Sequence, residues 1–209
     1  MPSPSEILAG TTSIANQAIG VAVAWHVVVA IALVALAIGW RPSQCVARIL
    51  ITAPLVSVAG FAFAFGNPFN GLIFLAGSVA LVGLAGLGDR RSVQRGTSWA
   101  FWIGVAMIAF AWVYPHFLEG RHPTSYLFAS PLGLIPCPSL SAAIGFALLG
   151  SGLGARAWGI TLAALGLLYG LVGVLRLGVF LDIGLVGGAI VLFAVAVRST
   201  TGIRAASHA

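Results

Sequence analysis

Seven apolar stretches of about 20 residues, at 19–40, 48–66, 70–88, 98–117, 139–154, 157–176 and 182–198, take up most of this chain. A run of that length satisfies its own backbone hydrogen bonds as a helix and is long enough to cross the hydrocarbon core of a bilayer. Composition agrees. Hydrophobic residues make up 60% of the chain and charged residues only 7%, where a soluble domain carries about 25%. The expected fold is therefore all-α: a polytopic transmembrane helix bundle of about seven spans, forming a single integral membrane domain over residues 1–209. The fifth stretch is short and glycine-rich (IGFALLGSGLG), and it also reads as one arm of a re-entrant hairpin.

Charge sets the expected orientation. All ten basic residues are Arg, so a retinal Schiff base and a Walker A loop, both of which need Lys, are excluded. The absence of Lys points to a GC-rich bacterial genome. The arginines are scattered through loops, which argues against nucleic-acid binding. With the N-terminus outside, Arg41, Arg48, Arg90, Arg91, Arg95, Arg156, Arg198 and Arg204 fall in the cytoplasm and only Arg121 and Arg176 fall outside. Basic residues favour the cytoplasmic side of short loops, so the N-terminus is expected out and the C-terminus in. The loop GDRRSVQRG reads as a solvated topology determinant. The start, MPSPSEILAG, has no basic n-region, which predicts that the first span serves as its own uncleaved insertion signal.

Chemical interest concentrates between Tyr114 and Leu140. This segment holds Pro115, Pro123, Pro131, Pro136 and Pro138, with His116, Glu119, His122 and Cys137. Proline excludes a regular helix throughout, yet LFASPLGLIP is too apolar for a solvated loop. Irregular apolar backbone at a membrane needs protein or a cavity around it, so an outer cap or re-entrant loop is expected. Pro136-Cys137-Pro138 places a thiol at the start of the fifth span, where a helix N-terminus favours thiolate. His26, inside the first span, is by its cost a functional candidate or a hydrogen-bonded structural group. Cys137, His122, His116, His26 and Glu119 could all stand in the outer half, and thiolate with imidazole suits a soft transition metal. Cys45 belongs to the opposite face and is not expected to pair with Cys137. Arg176 and Asp182 bracket the last outer loop and read as part of an ion-pair network holding the cap. An aromatic belt accounts for most of Trp99, Trp102, Trp112 and Trp158.

Tyr114-Pro115, Gly120 with His122-Pro123, Pro131-Leu132-Gly133 and Pro136-Cys137-Pro138 together resemble a family of bacterial multi-pass membrane proteins of unassigned function. The Asn67-Pro68 turn and the Gly178-Val179…Asp182 approach to the last span also fit. This resemblance implies a helical bundle and carries no activity with it. The element Gly133-Leu134-Ile135-Pro136-Cys137-Pro138-Ser139 is similar to one in bacterial nickel/cobalt exporters, and the proline–cysteine element is similar to that of membrane thiol-disulfide carriers. Both likenesses imply metal or thiol chemistry.

The leading expectation is an integral protein of the bacterial inner (plasma) membrane, a transporter or binding protein for a metal ion or small solute with a site at the outer face. Alternatives are a haem-binding or redox subunit, with His26 and His116 as axial ligands of a haem b, and a non-catalytic assembly or scaffold subunit with a membrane or periplasmic partner. No Ser–His or paired-carboxylate motif supports an enzyme.

Overall fold

The computed structural model describes residues 3–86, 91–120 and 122–198; Asp89, Arg90, Arg121, Arg204 and His208 lie outside the described residues. Nine α-helices are described: α1 (Pro4–Gln17), α2 (Ile19–Ala37), α3 (Gln44–Ala64), α4 (Pro68–Ala85), α5 (Ser98–Val113), α6 (Tyr126–Ala129), α7 (Pro136–Leu149), α8 (Arg156–Leu171) and α9 (Ile183–Arg198). The described residues form no strand; a single bridge joins Ser43 to Ser92.

Each apolar stretch contains a helix, though the fourth stops at Val113 and the fifth at Leu149, and the ends follow local chemistry. Ser43 caps α3 by accepting from the Val46 N–H, and Asn67 caps α4 by accepting from the Asn70 N–H, with Pro68 in the first turn. Five helical segments are long and apolar enough to cross a membrane: Ile19–Ala37, Gln44–Ala64, Pro68–Ala85, Arg156–Arg176 and Phe180–Arg198. α5 and α7 are shorter, at 16 and 14 residues. The exposed surface is apolar, with Ile31, Val34, Leu72, Val79, Ile190 and Phe193 facing outward. That pattern belongs to a bundle solvated by lipid.

α7 is the axis of the bundle. It packs on α3, α5, α8 and α9, and 11 of its 14 residues are buried, most of them small: Ser139, Ser141, Ala142, Ala143, Gly145 and Ala147. Small residues let membrane helices approach closely. A Cβ added to Gly104 of α5 would stand 2.7 Å from the Gly145 carbonyl, and one added to Gly145 would stand 2.8 Å from that of Gly104. α8 lies on α9 along Gly166 and Gly170.

Two features depart from the sequence reading. α1 precedes the first apolar stretch. It is built on a capping box in which Ser3 and Glu6 exchange hydrogen bonds, with Pro4 in the first turn. Trp158, expected in an interfacial belt, is wholly buried in the main core, while Trp99 and Trp102 are exposed.

The packed pairs α3–α4, α5–α7 and α8–α9 run antiparallel, so the bundle has two distinct ends. One carries the start of α7 and α9 and the close of α5 and α8, with Asp182. The other carries the start of α3, the close of α4 and the α7–α8 turn, with Arg48. The two cysteines are free and lie at opposite ends, Cys45 opening α3 and Cys137 opening α7.

Candidate functional site

The proline-rich stretch after α5 is irregular. Its polar groups are satisfied one at a time, as buried backbone requires. The Trp112 indole N–H donates to the Leu127 carbonyl at 2.8 Å, and Ser130 Oγ donates to the Ala111 carbonyl at 3.1 Å. Ser139 Oγ accepts from the Gly133 N–H at 2.8 Å and donates to the Ile135 carbonyl at 2.7 Å, which closes the entry to α7. Residues 129–136 are all buried. Gly133 lies against the Trp25 ring of α2, where any side chain would collide with the indole.

At the entry to α7 the structure assembles a polar cluster. Residues 180–182 form a short 3-10 turn into α9, in which the Asp182 N–H donates to the Val179 carbonyl. The turn directs Asp182 inward, and the residue is only 1% exposed. Tyr114, wholly buried at the close of α5, donates its hydroxyl to Asp182 Oδ1 at 2.8 Å. Cys137, in the first turn of α7, donates its thiol to Oδ2 at 3.1 Å. Gly173 stands in a π-helical turn at Val172–Arg176, and a side chain there would overlap the Asp182 carboxylate. A π-turn often marks a functional position in a helix. Tyr169 donates to Asn70 Oδ1 at 3.1 Å. Tyr114 at the close of α5, Cys137 at the start of α7 and Asp182 in the turn into α9 thus form one polar cluster inside an apolar bundle.

The five residues expected to bind a metal are placed as follows. Cys137 opens α7, but its partner is a carboxylate. The helix N-terminus was expected to hold a thiolate; here the sulfur faces the Asp182 carboxyl and donates to it. His116 is half-buried, 4.2 Å from the Phe117 ring. His122 is exposed and opens the 3-10 turn at 123–125, bonding Thr124 Oγ1 at 2.9 Å. Glu119 is exposed, and its backbone N–H donates to Asn16 Oδ1 of α1. His26 is buried with Nδ1 2.8 Å from the Ala22 carbonyl and Nε2 2.9 Å from the Trp112 carbonyl. Both ring nitrogens therefore face backbone carbonyls, of which a neutral ring donates to one, and the contact with Trp112 places α2 beside α5. Among the described residues, no three His, Cys, Asp or Glu side chains stand close enough to hold one ion.

Asp182 was expected in a surface ion-pair network; its carboxylate instead lies inside, held by a tyrosine and a cysteine. Tyr114 carried no signal beyond its place in Tyr114-Pro115. Asp182 carried one: an acid directly abutting a long apolar run (DIGLVGGAIVLF).

No protein-family model, curated protein or solved structure matches this chain.

Proposed function

We propose that the chain crosses a membrane seven times, N-terminus out and C-terminus in, and that Asp182 is the proton-binding carboxyl of a small-solute carrier. The antiparallel helix pairs and the arginine distribution support that topology. α7 alone is about 21 Å long, less than a hydrocarbon core of about 30 Å. The buried backbone of 129–135 adds the missing depth as a loop re-entering from the outer face. Such irregular backbone is tolerated at membrane depth where protein encloses it, and carriers use it at helix breaks beside their binding sites. α1 would cover that face.

The observation that carries the function is the buried carboxylate and the nature of its partners. An ionisable group inside a membrane bundle is costly and is a functional candidate by default. Asp182 receives one hydrogen bond on each oxygen, both from neutral, ionisable side chains. Charge balance then calls for a cation whenever the acid is ionised, and a proton is the cation such a site accommodates without rearrangement. Two donors, one soft and one hard, fall short of the three or four protein ligands a transition-metal site uses.

Infrared difference spectroscopy during a pH titration of the protein in liposomes tests this reading. A carbonyl band from a protonated carboxyl that vanishes in Asp182→Asn is expected. A titrating band that survives the substitution, or no such band in the wild type, overturns it.

A further inference from the structure

The second large feature of the molecule is a cleft at the end opposite Asp182. α2 is fastened at its first half: His26 bonds the Trp112 carbonyl, the Trp25 indole N–H donates to Ser57 Oγ at 3.1 Å, and α6 packs beside it. Its second half stands away from α3 and α5. The gap is a cavity of about 580 Å³, within the range of ligand-binding pockets, about 300–1,000 Å³. Trp25, Val29, Leu33, Leu36 and Trp40 line one wall. The first four, spaced three or four residues apart, form one continuous face of α2, running about 17 Å along the axis, and Trp40 follows beyond the helix end. Phe146 and Leu149 of α7 form part of the floor.

The mouth of this cleft is cationic. Ser43 and Ser92 form a bridge, with the Gln44 N–H donating to the Arg91 carbonyl and the Val93 N–H to that of Pro42. That pairing brings Arg41 and Arg95 to the same rim. Arg41 donates to the Leu36 and Trp40 carbonyls at 2.9 Å each, and Arg95 lies 4.1 Å over the Phe101 ring. Among the described residues neither guanidinium has a carboxylate partner, and Glu119 and Asp182 belong to the other end.

We infer that this cleft holds one anionic phospholipid of the surrounding bilayer, an acyl chain along the α2 face and the phosphate at Arg41 and Arg95. A tall apolar slot with a two-arginine rim is complementary to that molecule at both of its parts, and basic pockets between spans at the cytoplasmic face bind anionic headgroups. Guanidinium groups suit phosphate because they offer paired donors. The inference rests on the bundle crossing a bilayer and is independent of any proton chemistry at Asp182.

Native mass spectrometry of the full chain, released from nanodiscs of equal phosphatidylglycerol and phosphatidylcholine, tests it. The expected result is one retained lipid per chain with about a 25-fold preference for phosphatidylglycerol, taking a factor of about five per arginine. Arg41→Ala with Arg95→Ala should reduce the preference to near unity while a chain is still retained. Ala32→Trp, which fills the wall, should abolish retention of either lipid. Each variant is checked for unchanged helicity, and the wild-type preference stands as a test that needs no variant. Equal retention of the two lipids, a preference untouched by the double substitution, or a lipid-free dimer with a second copy in the cleft would overturn the inference.

Discussion

The two ends of the bundle each bury a charged side chain, and they satisfy it in opposite ways. At one end Arg48 of α3, wholly buried, spends its donors on the fold itself. It reaches the Leu153 carbonyl, the Ala85 carbonyl at 3.1 Å and Gln44 Oε1 at 3.0 Å. Ala85 closes α4, where unpaired carbonyls carry partial negative charge. Leu153 sits in the turn from Ser151 to Gly154, in which all four residues have positive φ, a conformation costly for the two that are not glycine. Arg48 therefore clamps three elements through backbone that cannot change its protonation. At the other end Asp182 is held by two side chains, the Tyr114 hydroxyl and the Cys137 thiol. The same burial is met by backbone carbonyls at one end and by ionisable side chains at the other, and the chemistry of the partners makes the difference.

The strongest test of this contrast is Arg48→Ala. It strands several buried acceptors at once, each costing about 1–3 kcal/mol, so a loss of about 3 kcal/mol or more in unfolding free energy is expected in detergent. Asp182→Asn keeps the volume and one acceptor and should cost no more than about 2 kcal/mol. If Asp182→Asn destabilises as much as Arg48→Ala, the acid is a second staple and the contrast fails.

Gly173→Ala probes the same cluster from outside it. The new methyl must displace the Asp182 carboxylate, and forced repacking of this kind costs about 1–3 kcal/mol. Because the strain falls on Asp182, adding Asp182→Ala should recover most of the loss in the same unfolding measurement. Additive losses would place the cost elsewhere in the α8–α9 contact.

Cys137→Ser should have a smaller effect, within about 1 kcal/mol, since a hydroxyl still donates to Asp182 Oδ2. Elemental analysis of untagged protein sharpens the point. A copper or zinc ion bound one per chain and lost in Cys137→Ser would turn the cluster into a metal centre.

The helices were legible because hydropathy is local: twenty apolar residues cannot be anything else in a bilayer. The polar clusters were not, because they are built from distant residues. Cys137 and Asp182 are 45 positions apart, and only the packing of α7 between α5, α8 and α9 makes them meet. Counting His, Cys and Glu gathered residues that the structure does not bring to one point among the described residues, since chemical type says nothing about which face a side chain occupies. His26 shows the limit well. Its position inside a span marks it as costly, but the carbonyls its ring nitrogens face come from its own helix and from Trp112. α1 was legible in principle, because Ser3-Pro4-Ser5-Glu6 spells a capping box with proline in the first turn.

The smallest expected effect concerns that capping box and is a control on the contrast. Glu6 Oε2 accepts from the Ser3 N–H at 2.6 Å and from the Ser3 hydroxyl at 2.9 Å, which holds its carboxyl below the usual carboxylate range. A lowered value in the folded chain means that the capping contribution is complete above the unfolded value and is lost as pH falls through the folded one. Protection of the first-turn amides of α1, measured against the unfolded exchange rate at each pH, should therefore fall on acidification in the wild type, whereas Glu6→Gln should show low protection already at neutral pH and little further change. Asn16 lies ten residues further on, almost three turns, where it accepts from the Glu119 N–H and donates to the Phe117 carbonyl at 2.8 Å. Fraying at the first turn should stop short of that anchor, so exchange near Tyr114 should not respond to Glu6→Gln. If it does, α1 is coupled to the acid cluster, which then extends to the N-terminal helix.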